Sequence, residues 1–177
     1  MMLRFLCLAT SVITFFTMFG CGSVDTDESS EGDVSQAQAQ SQTGSDAQSG
    51  SAKDILSQIN DDNLTASAYY GDDTYTKNAE KLYGIAADDI ADGGIIYAAD
   101  GGLADEVSII KLADGSSAQS ALSSRVDYRL NQFENYKPEE TKKIEAAQIF
   151  QAGDYWVLVI SDNAQDISDK IKTLAGE

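Results

Sequence analysis

Residues 22–52 carry no aromatic side chain and only two valines, Val24 and Val34, among Ser, Thr, Gln, Gly, Ala, Asp and Glu. A segment of that composition cannot bury enough apolar surface to offset the entropy lost on ordering. Any packed core is therefore confined to the chain beyond it, from Lys53 to Glu177. As a flexible coil the segment spans about 30 Å on average and roughly 100 Å when taut. It reads as a spacer.

Upstream of the spacer, Arg4 opens an apolar run from Phe5 to Phe19 that ends in Gly20-Cys21. A basic start, an apolar stretch and a small residue at the end make a secretory signal. The run is shorter than the ~20 apolar residues of a membrane-spanning helix. The Met18-Phe19-Gly20-Cys21 end resembles the lipobox of bacterial lipoproteins, although Met18 and Phe19 replace the usual Leu and small or β-branched residue. The resemblance implies cleavage before Cys21 and diacylation of its sulfur, with the chain held at the extracytoplasmic face of the cell membrane. Two acyl chains suffice for stable residence where one does not. The expected organisation is a signal peptide at 1–20, a lipidated cysteine and acidic linker at 21–52, and one domain at 53–177.

Composition narrows the chemistry further. Cys7 lies in the segment to be removed, so the mature chain keeps no thiol for a disulfide, a zinc-thiolate site or a cysteine nucleophile. Histidine is absent, which removes the commonest general base and any Ser-His pair. With 29 acidic against 12 basic side chains, the chain lacks the basic stripe that nucleic acid requires, and anionic headgroups repel it.

The domain's periodicity predicts an α+β fold, an antiparallel sheet with helices on one face. Ile55, Leu56 and Ile59 behind Ser51 predict a first helix, and a second is expected from about Thr74 to Tyr83, stopped by Gly84. Gly94–Ala99 and Glu106–Leu112 read as strands joined through Asp100-Gly101-Gly102. A long helix carries Ala118, Leu122, Val126, Leu130 and Phe133 on one face and ends before Pro138. Ala147–Gln151 and Tyr155–Ile160 form a second hairpin, followed by a helix capped by Asp162 or Asn163. The repeated order suggests two hairpin-helix units.

Chemistry-bearing patterns are few. Gly93-Gly94 and Gly101-Gly102 lack phosphate-loop spacing and are expected in hairpin turns. Asp105-Glu106 is the adjacent acid pair entering a strand, but neighbouring strand residues point to opposite faces and cannot flank one bond. The acidic loops at Asp61-Asp62-Asn63, Asp72-Asp73 and Asp88-Asp89 raise calcium, yet Ala99 stands where an EF-hand begun at Asp88 needs glutamate. Capping and solvation are the expected roles. Four of six phenylalanines belong to the signal, leaving eight tyrosines as the main aromatic surface of the chain. Tyr69, Tyr70 and Tyr75, in a loop-like stretch, are the candidates for an exposed partner surface.

Leu82-Tyr83-Gly84-Ile85, Ala104-Asp105-Glu106-Val107, Ile109-Ile110-Lys111, Arg125, Phe133-x-x-Tyr136-x-Pro138 and Gly153-Asp154-Tyr155-Trp156-Val157 together resemble a family of uncharacterised lipoproteins of Gram-positive bacteria with a domain of unknown function. The resemblance implies an anchored extracytoplasmic domain and carries no activity or cofactor. It directs attention to Asp105, Glu106 and Arg125 as a charged cluster, with Arg125 either tying strand to helix or gripping a ligand carboxylate or glycan. The leading expectation is a non-catalytic binding or scaffolding module for a protein or cell-envelope component. The alternative class is an envelope hydrolase working through carboxylates.

Overall fold

The computed structural model describes residues 50–177; the signal, Cys21 and nearly all of the spacer lie outside the described residues. The first helix, α1 (Ala52–Leu56), opens with a reciprocal cap in which Ser51 and Asp54 each accept from the other's backbone N–H. A short strand, β1 (Ala66–Tyr69), precedes α2 (Asp73–Asn78), which continues as one π-helical turn, Ala79–Tyr83. Gly84 closes that turn at φ 66°, a left-handed conformation suited to glycine.

Two long strands follow, β2 (Ile90–Tyr97) and β3 (Glu106–Leu112), and then α3 (Gln119–Phe133). Pro138 opens a separate helix, α4 (Pro138–Glu145), at a first-turn position where its missing N–H leaves no helical bond unmade. The hairpin β4 (Gln148–Ala152) and β5 (Tyr155–Ile160) turns through Gly153 at φ 56°, and α5 (Ala164–Leu174) ends the chain. The sheet order is β1-β2-β3-β5-β4, antiparallel throughout. The α+β class and the antiparallel sheet are as the periodicity predicts.

Layering differs from the expectation of helices on one face. Val107, Ile109, Val157 and Val159 pack with α1 and α5, whereas Ile110, Leu158 and Ile160 pack with α2, α3 and α4 on the other side. Central strands apolar at nearly every position have two faces to cover, so helices are needed on both. The two hairpin-helix units consequently do not superpose. A twofold axis normal to the sheet between β3 and β5 would exchange the hairpins and leave their helices on one face, yet α3 and α5 lie on opposite faces.

Gly93-Gly94 is not a turn but the middle of β2, and both faces explain it. A Cβ on Gly93 would overlap the Tyr75 hydroxyl and come within 2.9 Å of the Ile109 carbonyl oxygen; one on Gly94 would lie 2.7 Å from Leu56 Cδ1. The glycines let a tyrosine and a leucine sit flat against opposite faces of one strand.

Candidate functional site

The charged residues entering β3 are buried, and each is carried to a different partner. Glu106 points into the layer beneath α3, where Arg125 donates from Nε to both carboxylate oxygens at 3.1 Å and from a terminal nitrogen at 2.5 Å. Tyr83, brought in by the π turn, donates to the same carboxylate at 2.8 Å and meets the Ser108 hydroxyl. Glu106 and Arg125 are 1% and 6% exposed, so this is an interior pair and not a cleft. Burial works against the Arg125 charge, but the Glu106 hydrogen bonds and charge outweigh it and hold the guanidinium above its ordinary pKa. Burial, reinforced by Glu106, also pushes the Tyr83 phenol well up.

Asp105 leaves the strand in another direction. Lys143 of α4 reaches it at 2.8 Å and also touches Glu140 and Asp162 at 3.2 Å. Glu140 in turn accepts from the Ala104 backbone N–H at 2.9 Å, and Asn63 donates to Asp105 at 3.3 Å. Four segments, the loop before β1 (through Asn63 on Asp105), the entry to β3, α4 and the turn after β5, are thus tied around one buried ammonium. A third tie uses Asp92, which accepts from Tyr155 at 2.7 Å and from the Ala52 backbone N–H at 2.9 Å, fixing α1 to the sheet.

The expected cluster of Asp105, Glu106 and Arg125 is therefore two separate pairs. Glu106 and Arg125 meet; Asp105 belongs to Lys143. Lys143, Glu140 and Tyr83 carry no local sequence signal for this role, since α4 itself is hidden behind the proline and Tyr83 depends on the π turn. In the acidic loops, Asp72 accepts locally from the Tyr69 N–H at 3.1 Å, while Asp61 reaches across the fold to accept from the Ser161 hydroxyl at 2.7 Å. Among the described residues, no group of three or more Asp, Glu, Cys or His side chains is arranged to hold a metal ion.

The tyrosines also sort differently from the expectation of one exposed loop. Tyr70 is 50% exposed, Tyr69 is half-buried in β1 beneath Lys53, and Tyr75 is buried in α2 because its ring lies against the bare face of Gly93. The most exposed rings are Tyr136 at 70% and Tyr128 at 53%, on α3 and the turn that follows it. Tyr128 is exposed yet held: Arg125 lies 5.7 Å from its ring centre and Gln132 donates to its hydroxyl at 3.2 Å. A helix that buries Arg125 turns Tyr128, three residues on, outward beside it.

These features define an α+β domain with a five-stranded antiparallel sheet, helices on both faces and a buried strand-to-helix ion pair. The sequence matches the family model described as Domain of unknown function (DUF4358) over residues 71–161, just over half of the chain, and the chain belongs to that family. The matched stretch contains Tyr83, Glu106, Arg125 and Lys143. No curated protein and no solved structure matches the chain.

Proposed function

We propose that the chain is a lipid-anchored extracytoplasmic lipoprotein of the Gram-positive kind its sequence resembles, carrying a non-catalytic module that binds a protein or cell-envelope component. The anchor is the diacylated Cys21, and the module binds through Tyr128 and Tyr136. One observation supports the binding reading above others. The carboxylates at β3 are committed to Arg125 and Lys143 inside the fold, whereas Tyr128, held by Arg125 and Gln132, and the more exposed Tyr136 present their rings at the surface. Tyrosine offers large contact area at low entropic cost and a hydroxyl at its edge, properties favoured at binding surfaces. Charge agrees with an extracytoplasmic partner that is neither nucleic acid nor anionic lipid.

The anchor is tested with the full chain in cells fed a palmitate analogue. Parent chain should carry the label and fractionate with membranes; Cys21→Ala should carry none and retain its signal. Equal processing of the two forms would overturn the anchoring reading.

A further inference from the structure

The two edges of the sheet are finished differently. At β1 the outward N–H of Tyr69 is taken by the Asp72 carboxylate at 3.1 Å, and the Asp72 N–H returns to the Tyr69 carbonyl at 2.9 Å. At β4, the other edge, the two-residue turn makes Ala152 and Tyr155 a hydrogen-bonded pair. Alternation then directs the backbone groups of Gln148 and Phe150 to β5, and those of Ile149 and Gln151 outward. The same alternation, followed across all five strands, predicts the observed bond from the Tyr70 N–H to the Gly93 carbonyl at 2.9 Å. The β4 edge has no charged side chain, no proline and no bulge, the devices that ordinarily keep edges from pairing.

Such a strand complements itself. A twofold axis through Phe150 sets Ile149 opposite Gln151 of a second copy, and Gln151 opposite its Ile149, so the outward groups join in backbone hydrogen bonds. Phe150 then faces its counterpart as a non-hydrogen-bonded pair, the arrangement in which opposed side chains come closest. Lys172 of α5 stands 4.9 Å over the Phe150 ring, with Asp169 beside it at 3.9 Å. The helix flanking this edge carries two acids, Asp166 and Asp169, and two lysines, Lys170 and Lys172, so its own charges balance despite the acidity of the chain. We propose that β4 is a self-association edge, at which two chains join their sheets antiparallel across Phe150. This inference is independent of lipidation and of the tyrosine surface.

Cross-linking tests it on the purified full chain in detergent, with Cys7 and Cys21 replaced by serine. Facing Cα atoms at a non-hydrogen-bonded pair lie about 4.5 Å apart, within disulfide reach. Phe150→Cys should give a disulfide-linked dimer on mild oxidation, while Ser67→Cys at the β1 edge should give at least tenfold less. Gln151→Pro, which removes the outward N–H together with an exposed side-chain bond to the Gly153 carbonyl, and Gln151→Lys, which adds charge to the edge, should each reduce the Phe150→Cys dimer at least tenfold with the melting temperature retained. Equal cross-linking at the two edges, or a dimer that survives both Gln151 variants, would overturn the proposal. So would a Phe150→Cys cross-link in isolated envelopes to a chain of different mass instead of to itself.

Discussion

Arg125 of α3 reaches across the sheet-helix interface to Glu106 of β3 with hydrogen bonds of 2.5 to 3.1 Å, and packs beside the exposed Tyr128 ring on its other flank. The geometry makes Arg125 a structural tie whose loss leaves a buried carboxylate without its counter-charge, held only by neutral donors such as the Tyr83 hydroxyl. Removing one member of a buried pair destabilises by about 3–5 kcal/mol, while exchanging both for neutral groups is far milder. Arg125→Gln and Arg125→Met should therefore lower the urea midpoint sharply, and Glu106→Gln combined with Arg125→Met should recover most of the loss. A fully stable Arg125→Gln chain would point instead to a ligand-gripping role.

The Tyr75-Gly93 contact gives a paired prediction. Gly93→Ala drives a methyl against a rigid ring and a backbone carbonyl, an overpacking cost of about 1–3 kcal/mol or more. Tyr75→Phe removes a buried hydroxyl that has no hydrogen-bond partner, so it should be neutral or stabilising by about 1 kcal/mol. Combining the two should soften the Gly93→Ala defect, which thermal melting of the four proteins would read.

Alkaline pH should unfold the domain early. Burial first, with nearby carboxylates adding, holds the phenols of Tyr75, Tyr83 and Tyr155 above their ordinary value. The Lys143 ammonium is also held above its own, because Asp105 and Glu140 outweigh its burial. The folded state keeps these protons when the unfolded chain releases them above about pH 10. Their contribution is thus fully present below about pH 10 and lost as pH rises beyond it. Urea midpoints should fall from about pH 10 upward, less steeply in Tyr75→Phe; a midpoint constant into strong alkali would refute the assignment.

The Asp92 tie predicts a local effect. Tyr155→Phe removes a 2.7 Å bond to a carboxylate, worth about 1.5–3 kcal/mol. Hydrogen exchange should quicken first in α1, whose Ala52 N–H shares that carboxylate, with β3 and β5 least affected. Uniform acceleration across the domain would contradict the tie.

The strands β3 and β5 and the long helix were legible because their patterns are local: unbroken apolar runs and a three-to-four-residue repeat. β1 was not, since Ala-Ser-Ala-Tyr is weakly β-forming and is a strand only because β2 pairs with it. The second helical layer was hidden for a related reason. Apolar residues at consecutive positions mark a buried strand without saying what covers each face. The approach of Arg125 to Glu106 follows from two faces the sequence does show, but Lys143 and Tyr83 reach their partners through α4 and the π turn, which no periodicity announces. Gly93-Gly94 resembled a turn because two glycines adjoin; only the packing of Tyr75 and Leu56 on opposite faces reveals why neither position holds a side chain.

Binding of the unlipidated full chain, Cys21→Ser, to isolated cell envelopes tests the functional reading most directly. The account predicts saturable co-sedimentation that falls at least tenfold in Tyr128→Ala/Tyr136→Ala while the melting temperature holds. Co-sedimentation unchanged by removal of both rings, or no binding by the parent chain, would contradict it.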